Sequence, residues 1–177
     1  MLGIKRVDID IGDAFASLKN GIENNCIGLT DICTTNMPAR LRMATLFGVA
    51  QCLDGMVLNT CNRSESVLGN DTIFGDDCGS YAPIQRLTKT EVVDLAMWLG
   101  IPEELAKKTP IDGLQPLSDE DRMGVKYTDV DNFIRGKDVE DRIKCKIMSM
   151  YGKNKFKLEI IHIAGPKFDW LHDAFGD

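Results

Sequence analysis

The 177-residue chain is poor in the features that most readily announce a function. It has only two histidines, His162 and His172, both near the C-terminal end, where a lone histidine is more often structural or exposed than catalytic. Its six cysteines (Cys26, Cys33, Cys52, Cys61, Cys78 and Cys145) form no C-x-x-C pair and no Cys/His spacing of a metal site, which leaves core thiols in a reducing compartment as the expectation. No apolar run approaches the roughly 20 residues a membrane helix needs. The opening Met1 to Asp8 turns charged too soon for a signal peptide, so no membrane association is expected and the cytoplasm is the expected compartment. Basic residues do not dominate either. A net charge of -6 and a pI of about 5.0 argue against a nucleic-acid groove, although a local cationic spot can still hold a small phosphate.

What is present suits one globular domain, with 44% hydrophobic residues and neither repeats nor low-complexity tracts. Arg6 to Ile11 alternates polar and apolar and predicts a strand, with a helix starting over Asp13 to Leu18. Thr34, Thr35 or Asn36 can cap a second helix with Pro38 in its first turn, and Ala39, Met43, Leu46, Phe47 and Ala50 give it an apolar stripe for packing on a sheet. Met56 to Asn59 predicts another strand. Asn62 to Ala82 reads as a long loop of the kind that is often functional. Thr88-Lys89-Thr90-Glu91 is a capping box, with Val92, Ala96 and Leu99 as a buried stripe and Gly100 and Pro102 as stops. A short helical turn follows after Pro102, a capped helix starts at Ser118 with Asp121, and one or two further turns run over Thr128 to Ile134. A last helix begins at Asp138 with Val139, Ile143, Ile147 and Met150 on one side.

The segment with most chemical content is Val57-Leu-Asn-Thr60-Cys-Asn62-Arg63-Ser64-Glu65, an apolar stretch running into a polar, carboxylate-bearing turn. In open α/β sheets, ligands sit just beyond the carboxyl ends of strands. Around it, in order, stand Asn36-Met-Pro38-Ala39-Arg40-Leu-Arg42-Met43, Thr72-Ile73-Phe74-Gly75-Asp76, Pro83 to Val92, and Ser118-Asp119-Glu120 with Met123-Gly124 and Tyr127. This ordered series resembles the ammonia-dependent NAD synthetases, over roughly Val7 to Phe168. The Asn36 to Met43 and Ser118 to Glu120 blocks set it apart from other ATP pyrophosphatases such as GMP or asparagine synthetases.

The resemblance implies an α/β fold of the adenine nucleotide alpha-hydrolase type, a parallel sheet sandwiched by helices, as one domain over residues 1–177. That domain is incomplete at the N-terminus, because nothing here resembles the family's Ser-Gly-Gly-x-Asp-Ser phosphate loop. It further implies ATP-dependent amidation of deamido-NAD with ammonia through an acyl-adenylate, giving NAD, AMP and pyrophosphate. Magnesium, ATP and deamido-NAD would be the small molecules required, and a homodimer the assembly. No feature identifies an attached glutaminase, so free ammonia is the expected nitrogen source. An isolated chain lacking the loop is expected to be inactive, and the second function to weigh is an inactive nucleotide-binding or assembly module.

Carried over residue by residue, the resemblance makes Glu65 the magnesium ligand, Thr60 and Lys89 ATP contacts, and Arg40 and Lys157 contacts of deamido-NAD. No catalytic residue is assigned. Each has a plainer alternative: Glu65 as a cap of the following turn, Thr60 as an ordinary strand residue, Lys89 as a surface lysine. On physical grounds Lys89 stands out, because a cation in the first turn of a helix opposes the macrodipole unless an anion shares the site. A bound phosphate would resolve the conflict. Arg42, two positions from Arg40, must face another side of its helix. Four positions depart from the family: Ile73 stands for a lysine, Ser80 for an aspartate, Ile111 for a threonine and Phe156 for a histidine. Each loss of a charged or polar contact is expected to cost about 1 to 3 kcal/mol of ligand binding.

Overall fold

The computed structural model describes residues 3–25, 28–109 and 118–158, and these are almost wholly helical. The helices are α1 (Gly12–Asn25), α2 (Asp31–Cys52), α3 (Arg63–Leu68), α4 (Lys89–Trp98), α5 (Glu103–Ala106), α6 (Asp119–Met123), α7 (Tyr127–Ile134) and α8 (Asp141–Asn154). A 3-10 turn, Lys155–Leu158, closes the series. Among the described residues there is no β-strand, which overturns the predicted parallel sheet sandwiched by helices. Two isolated parallel bridges, Leu58 with Tyr81 and Ile73 with Asp77, are all the described pairing.

The correction has a physical cause. Alternation reports that a segment is extended, whereas a strand exists only when its backbone groups find a neighbouring strand. Residues 6–11 carry the alternation but no ladder, and Val7, Ile9 and Ile11 face Arg42, Thr45, Leu46 and Val49 of α2 across a shallow cavity, with Val7 and Ile9 exposed. Residues 57–59 pair only briefly, Asn59 N donating to Tyr81 O at 2.8 Å and Ser80 N to Val57 O at 2.7 Å.

The core joins α3 to the C-terminal helices α7 and α8. Val67 and Leu68 of α3, Val125, Tyr127 and Val130 in and before α7, and Ile147 of α8 are buried together, with Ile143 and Met150 against them. The predicted stripe of α8 is therefore real from Ile143 to Met150, although the helix begins at Asp141, three residues later than expected. The predicted stripe of α4 is thinner: no residue of that helix is fully buried, and Leu99 beyond its end is exposed. Helix α2 starts earlier than expected, at Asp31 with Thr30 as N-cap, and runs through Pro38. Its stripe faces no sheet; Met37 and Ala39 are its buried residues and Leu46 is exposed.

Part of the long loop is in fact the short helix α3. Asn62 Oδ1 accepts from Ser64 N and Glu65 N, and the Glu65 side chain accepts from Asn62 N at 3.0 Å, a reciprocal cap. Gly69 ends the helix in the left-handed region at φ 67°. An added Cβ there would lie 2.3 Å from Asn154 Cβ, so glycine is required twice over.

Candidate functional site

One cavity of about 740 Å³ opens between α2, the segment 57–61, the loop 69–76 and the first turn of α4. Its α2 wall carries the apolar side chains Ile32, Ala39, Met43 and Leu46 beside the polar Asp31, Thr35, Asn36 and Arg42. The opposite end is charged and carries Glu65, Asp71, Asp76, Lys89, Arg122 and Lys157. A slot with apolar side chains along one wall and charge at its far end has room for an elongated ligand with a flat ring and an anionic tail.

Glu65 and Lys89 form the centre of the charged end. Lys89 Nζ donates to Glu65 Oε1 at 3.3 Å and lies 5.5 Å from the centroid of the Tyr127 ring. The other Glu65 oxygen caps α3, so the capping role open in the sequence is fulfilled and both oxygens have partners. No group of three or more His, Cys, Asp or Glu residues is placed to hold a metal ion among the described residues. The described residues therefore form no all-protein cage for a metal ion.

The conflict expected at Lys89 is resolved without a phosphate. Thr90 N donates to Asp131 Oδ2 at 2.7 Å, Lys89 N donates to Ser64 Oγ at 3.0 Å, and Ser64 Oγ donates to Asp131 Oδ1. A carboxylate from α7 thus supplies the anion that the N-terminus of α4 favours. In sequence, Asp131 carries no mark beyond its place on a helix, and only the tertiary packing of α7 on α4 brings it there.

Lys157 is committed in another way. Its ammonium donates to Gly69 O at 2.8 Å, to Asp71 O at 2.6 Å and to Asp71 Oδ1 at 3.2 Å. Asn154 Nδ2 adds a bond to Leu68 O at 3.0 Å, so the C-terminal end of α3 is clasped by the end of α8 and the turn beyond it. Burial pushes the Asp71 carboxyl up to about 6, with the Lys157 charge opposing the rise. Burial and the carboxylates Asp76, Asp77, Glu65 and Asp71 likewise push the Cys61 thiol up, so this buried cysteine is a poor nucleophile. Of the other cysteines expected in the core, Cys33 and Cys78 are half-buried while Cys52 and Cys145 are exposed.

The cavity thus brings together Thr60, Glu65, Lys89 and Lys157, and leaves Arg40 outside its lining. Arg40 Nε instead donates to Ile73 O at 3.3 Å and braces the loop above the cavity. Arg42, on another face of α2, lines the cavity and makes no ion pair among the described residues. The sequence carried that signal, since two helical positions cannot share a direction, but not which arginine faces inward. Asp119 and Glu120 do more than start α6: Asp119 is buried against Arg122 and the Tyr127 hydroxyl, and Glu120 accepts from Tyr127 N. Ile111, His162 and His172 lie outside the described residues.

A profile of the family described as NAD synthase matches residues 1–161. The chain belongs to the NAD synthase family. It is similar to the NH(3)-dependent NAD(+) synthetase of Shewanella frigidimarina, at 32% identity over 86% of this chain and 60% of that protein. The corresponding enzyme of Mesoplasma florum is 31% identical over 88% of this chain and 64% of its own length. Among solved structures, NMN synthetase from Francisella tularensis superposes with a TM-score of 0.84 at 30% identity, covering 94% of this chain and 68% of that one. NAD+ synthetase from Burkholderia pseudomallei gives 0.68 at 28% identity, covering 86% and 60%. The chain therefore spans less than two thirds of the curated relatives it matches.

Family membership does not carry the expected activity with it. The reading of the chain as an amide-forming ligase that turns over ATP with magnesium is corrected by the absence, among the described residues, of both the sheet that would carry such a site and a metal-holding cluster. No helix among these residues is long and apolar enough to cross a membrane.

Proposed function

We propose that this chain is a nucleotide-binding or assembly module of the NAD synthase family, one that keeps a family cavity without turning a substrate over. The observation that carries the proposal is the meeting of Thr60, Glu65, Lys89 and Lys157 around a single cavity from well-separated parts of the sequence. In this reading Thr60 and Lys89 meet the phosphates of a nucleotide such as ATP, with Glu65 holding the lysine in place. The ring of a nicotinate nucleotide such as deamido-NAD lies along the apolar side chains of α2. Arg42 contributes charge there while Arg40 braces the loop, and Lys157 holds the floor of the site at Asp71. The relatives' names, NAD synthetase and NMN synthetase, make nicotinate nucleotides the first ligands to try. Loss of turnover is supported by Ile73, Ser80 and Phe156, which stand where the family resemblance places charged or imidazole groups.

The assembly part of the proposal rests on exposed apolar side chains. Leu53, Met56 and Leu58 lie in the open just beyond the C-terminal end of α2, with Met56 74% exposed. Such a surface favours pairing with a second copy in a homodimer.

Calorimetric titration of the purified chain with ATP, deamido-NAD and nicotinic acid mononucleotide tests the binding claim, with an NAD-formation assay in the presence of ammonia and magnesium run beside it. Binding of at least one nucleotide without NAD formation is expected. Formation of NAD by this chain, or failure to bind any of the three in a chain that is also monomeric, would overturn the proposal.

A further inference from the structure

We infer that Asp131 is a positioning residue for Lys89, occupying the anion seat of α4 so that the ligand's phosphates are met by the lysine side chain and not by the helix N-terminus. The inference deepens the proposed nucleotide-binding reading and rests on it for the identity of the ligand.

Asp131 is only 4% exposed, and Ser64, which bridges it to α4, is fully buried. A carboxylate in such a place persists only when hydrogen bonds and opposite charge replace its water. Here one oxygen takes the Ser64 hydroxyl and the other takes Thr90 N at 2.7 Å, both at the positive end of a ten-residue helix. Ser64 in turn accepts from Lys89 N at 3.0 Å. The first-turn amides of α4 are thereby spent on protein groups, since Glu91 N goes to Thr88 Oγ1 and Val92 N to Thr88 O. What this turn offers the cavity is the Lys89 ammonium.

The same knot fixes that ammonium from three sides. Ser64 immediately precedes Glu65, so holding its hydroxyl holds the Glu65 carboxylate opposite Lys89 Nζ at 3.3 Å. Helix α7, which supplies Asp131 behind α4, also supplies the Tyr127 ring beside the lysine. With its backbone and its headgroup both tied, Lys89 is presented as a pre-set cation, which lowers the ordering cost when an anion binds.

Two measurements test the inference. The first is a double-mutant cycle on ATP affinity using Asp131→Asn, Lys89→Met and the pair. Each single change is expected to weaken binding by about ten-fold or more, as for a lost charged contact. In the Lys89→Met background, Asp131→Asn is expected to change affinity by less than about two-fold, because a residue that acts through another has no effect without it. A purely structural role would weaken both backgrounds alike, and that result overturns the inference.

The second measurement needs no nucleotide. The rate at which an amine-directed acylating reagent labels Lys89, read by peptide mass spectrometry, is expected to rise several-fold in Asp131→Asn and to a similar level in Glu65→Gln. An unchanged rate in a folded Asp131→Asn protein overturns the inference. If Asp131→Asn fails to fold, Ser64→Ala takes its place with the same expected direction. Should the unaltered chain bind another of the three nucleotides but not ATP, the cycle is run on that nucleotide; should it bind none, the nucleotide reading falls, and the role of Asp131 is decided by the labelling rate alone.

Discussion

Asp71 and Lys157 show how a charge expected to meet a ligand can be engaged in holding the site together. The Asp71 side chain is 2% exposed in its pair with Lys157, and burial lifts its carboxyl to about 6 from the ordinary 3.8. A raised carboxylate in the folded state means that folding favours the protonated form. The resulting cost is absent below the unfolded value, grows as pH rises from about 4 to 6, and is fully present above that. Its size is about 2 to 3 kcal/mol. Asp71→Asn is therefore expected to flatten the fall in stability between pH 4 and 6, as read by urea unfolding at a series of pH values. If the variant and the unaltered chain lose stability in parallel across that window, Asp71 is not its source. Lys157→Met leaves Asp71 and two carbonyls without their donor and should destabilise at neutral pH by about 3 kcal/mol, the expected cost of breaking a buried pair. The sequence placed Lys157 near the site, but nothing in a one-dimensional pattern reveals that three protein oxygens use its donors.

At the scale of elements, glycines at helix ends separate local from tertiary demands. Gly69 and Gly100 both lie in the left-handed region, at φ 67° and 79°. Around Gly100 an added Cβ would meet nothing within 4 Å, whereas at Gly69 it would strike Asn154. Gly100→Ala is expected to cost about 1 kcal/mol from backbone conformation alone. Gly69→Ala should cost clearly more, because α8 must move away from α3, and thermal unfolding of the two variants gives the comparison. Equal losses would mean that the clasp between these helices yields freely. Capped helices were the part of the fold most legible from sequence: the Thr88 box, the Ser118 cap and the Ile143, Ile147 and Met150 stripe all appear in the structure. Helix α3 is hidden although Asn62-x-x-Glu65 has the spacing of a capping box, because the Gly, Asp, Ser and Asn content of 62–82 reads as loop and the helix is only six residues long. Alternation at 6–11 and an apolar run at 56–59 predict strands, and the family resemblance implies the sheet, yet strand pairing is decided by distant neighbours that local periodicity does not encode.

For the whole molecule, the unequal distribution of burial has a functional consequence. The core joins α3, α7 and α8, while α1 contributes no buried residue and α2 buries only Met37 and Ala39. The cavity lies between these unequal parts, with its charged end built on the well-packed side and its α2 wall on the thinly packed one. A ligand or second copy that covers α2 therefore bridges the two, and its binding should stabilise the N-terminal helices most, since local opening follows the density of buried contacts. Hydrogen exchange tests this directly. Amides of α1 and α2 are expected to exchange faster than those of α3, α7 and α8 in dilute protein, and to slow selectively at high protein concentration or with a bound nucleotide. Met56→Lys places a charge in the exposed apolar surface beside α2, outside the cavity lining, and should abolish the concentration-dependent part while leaving the core amides unchanged. Uniform protection across all the helices at low concentration would instead show that α1 and α2 are held as firmly as the core, and that the exposed apolar face needs no partner.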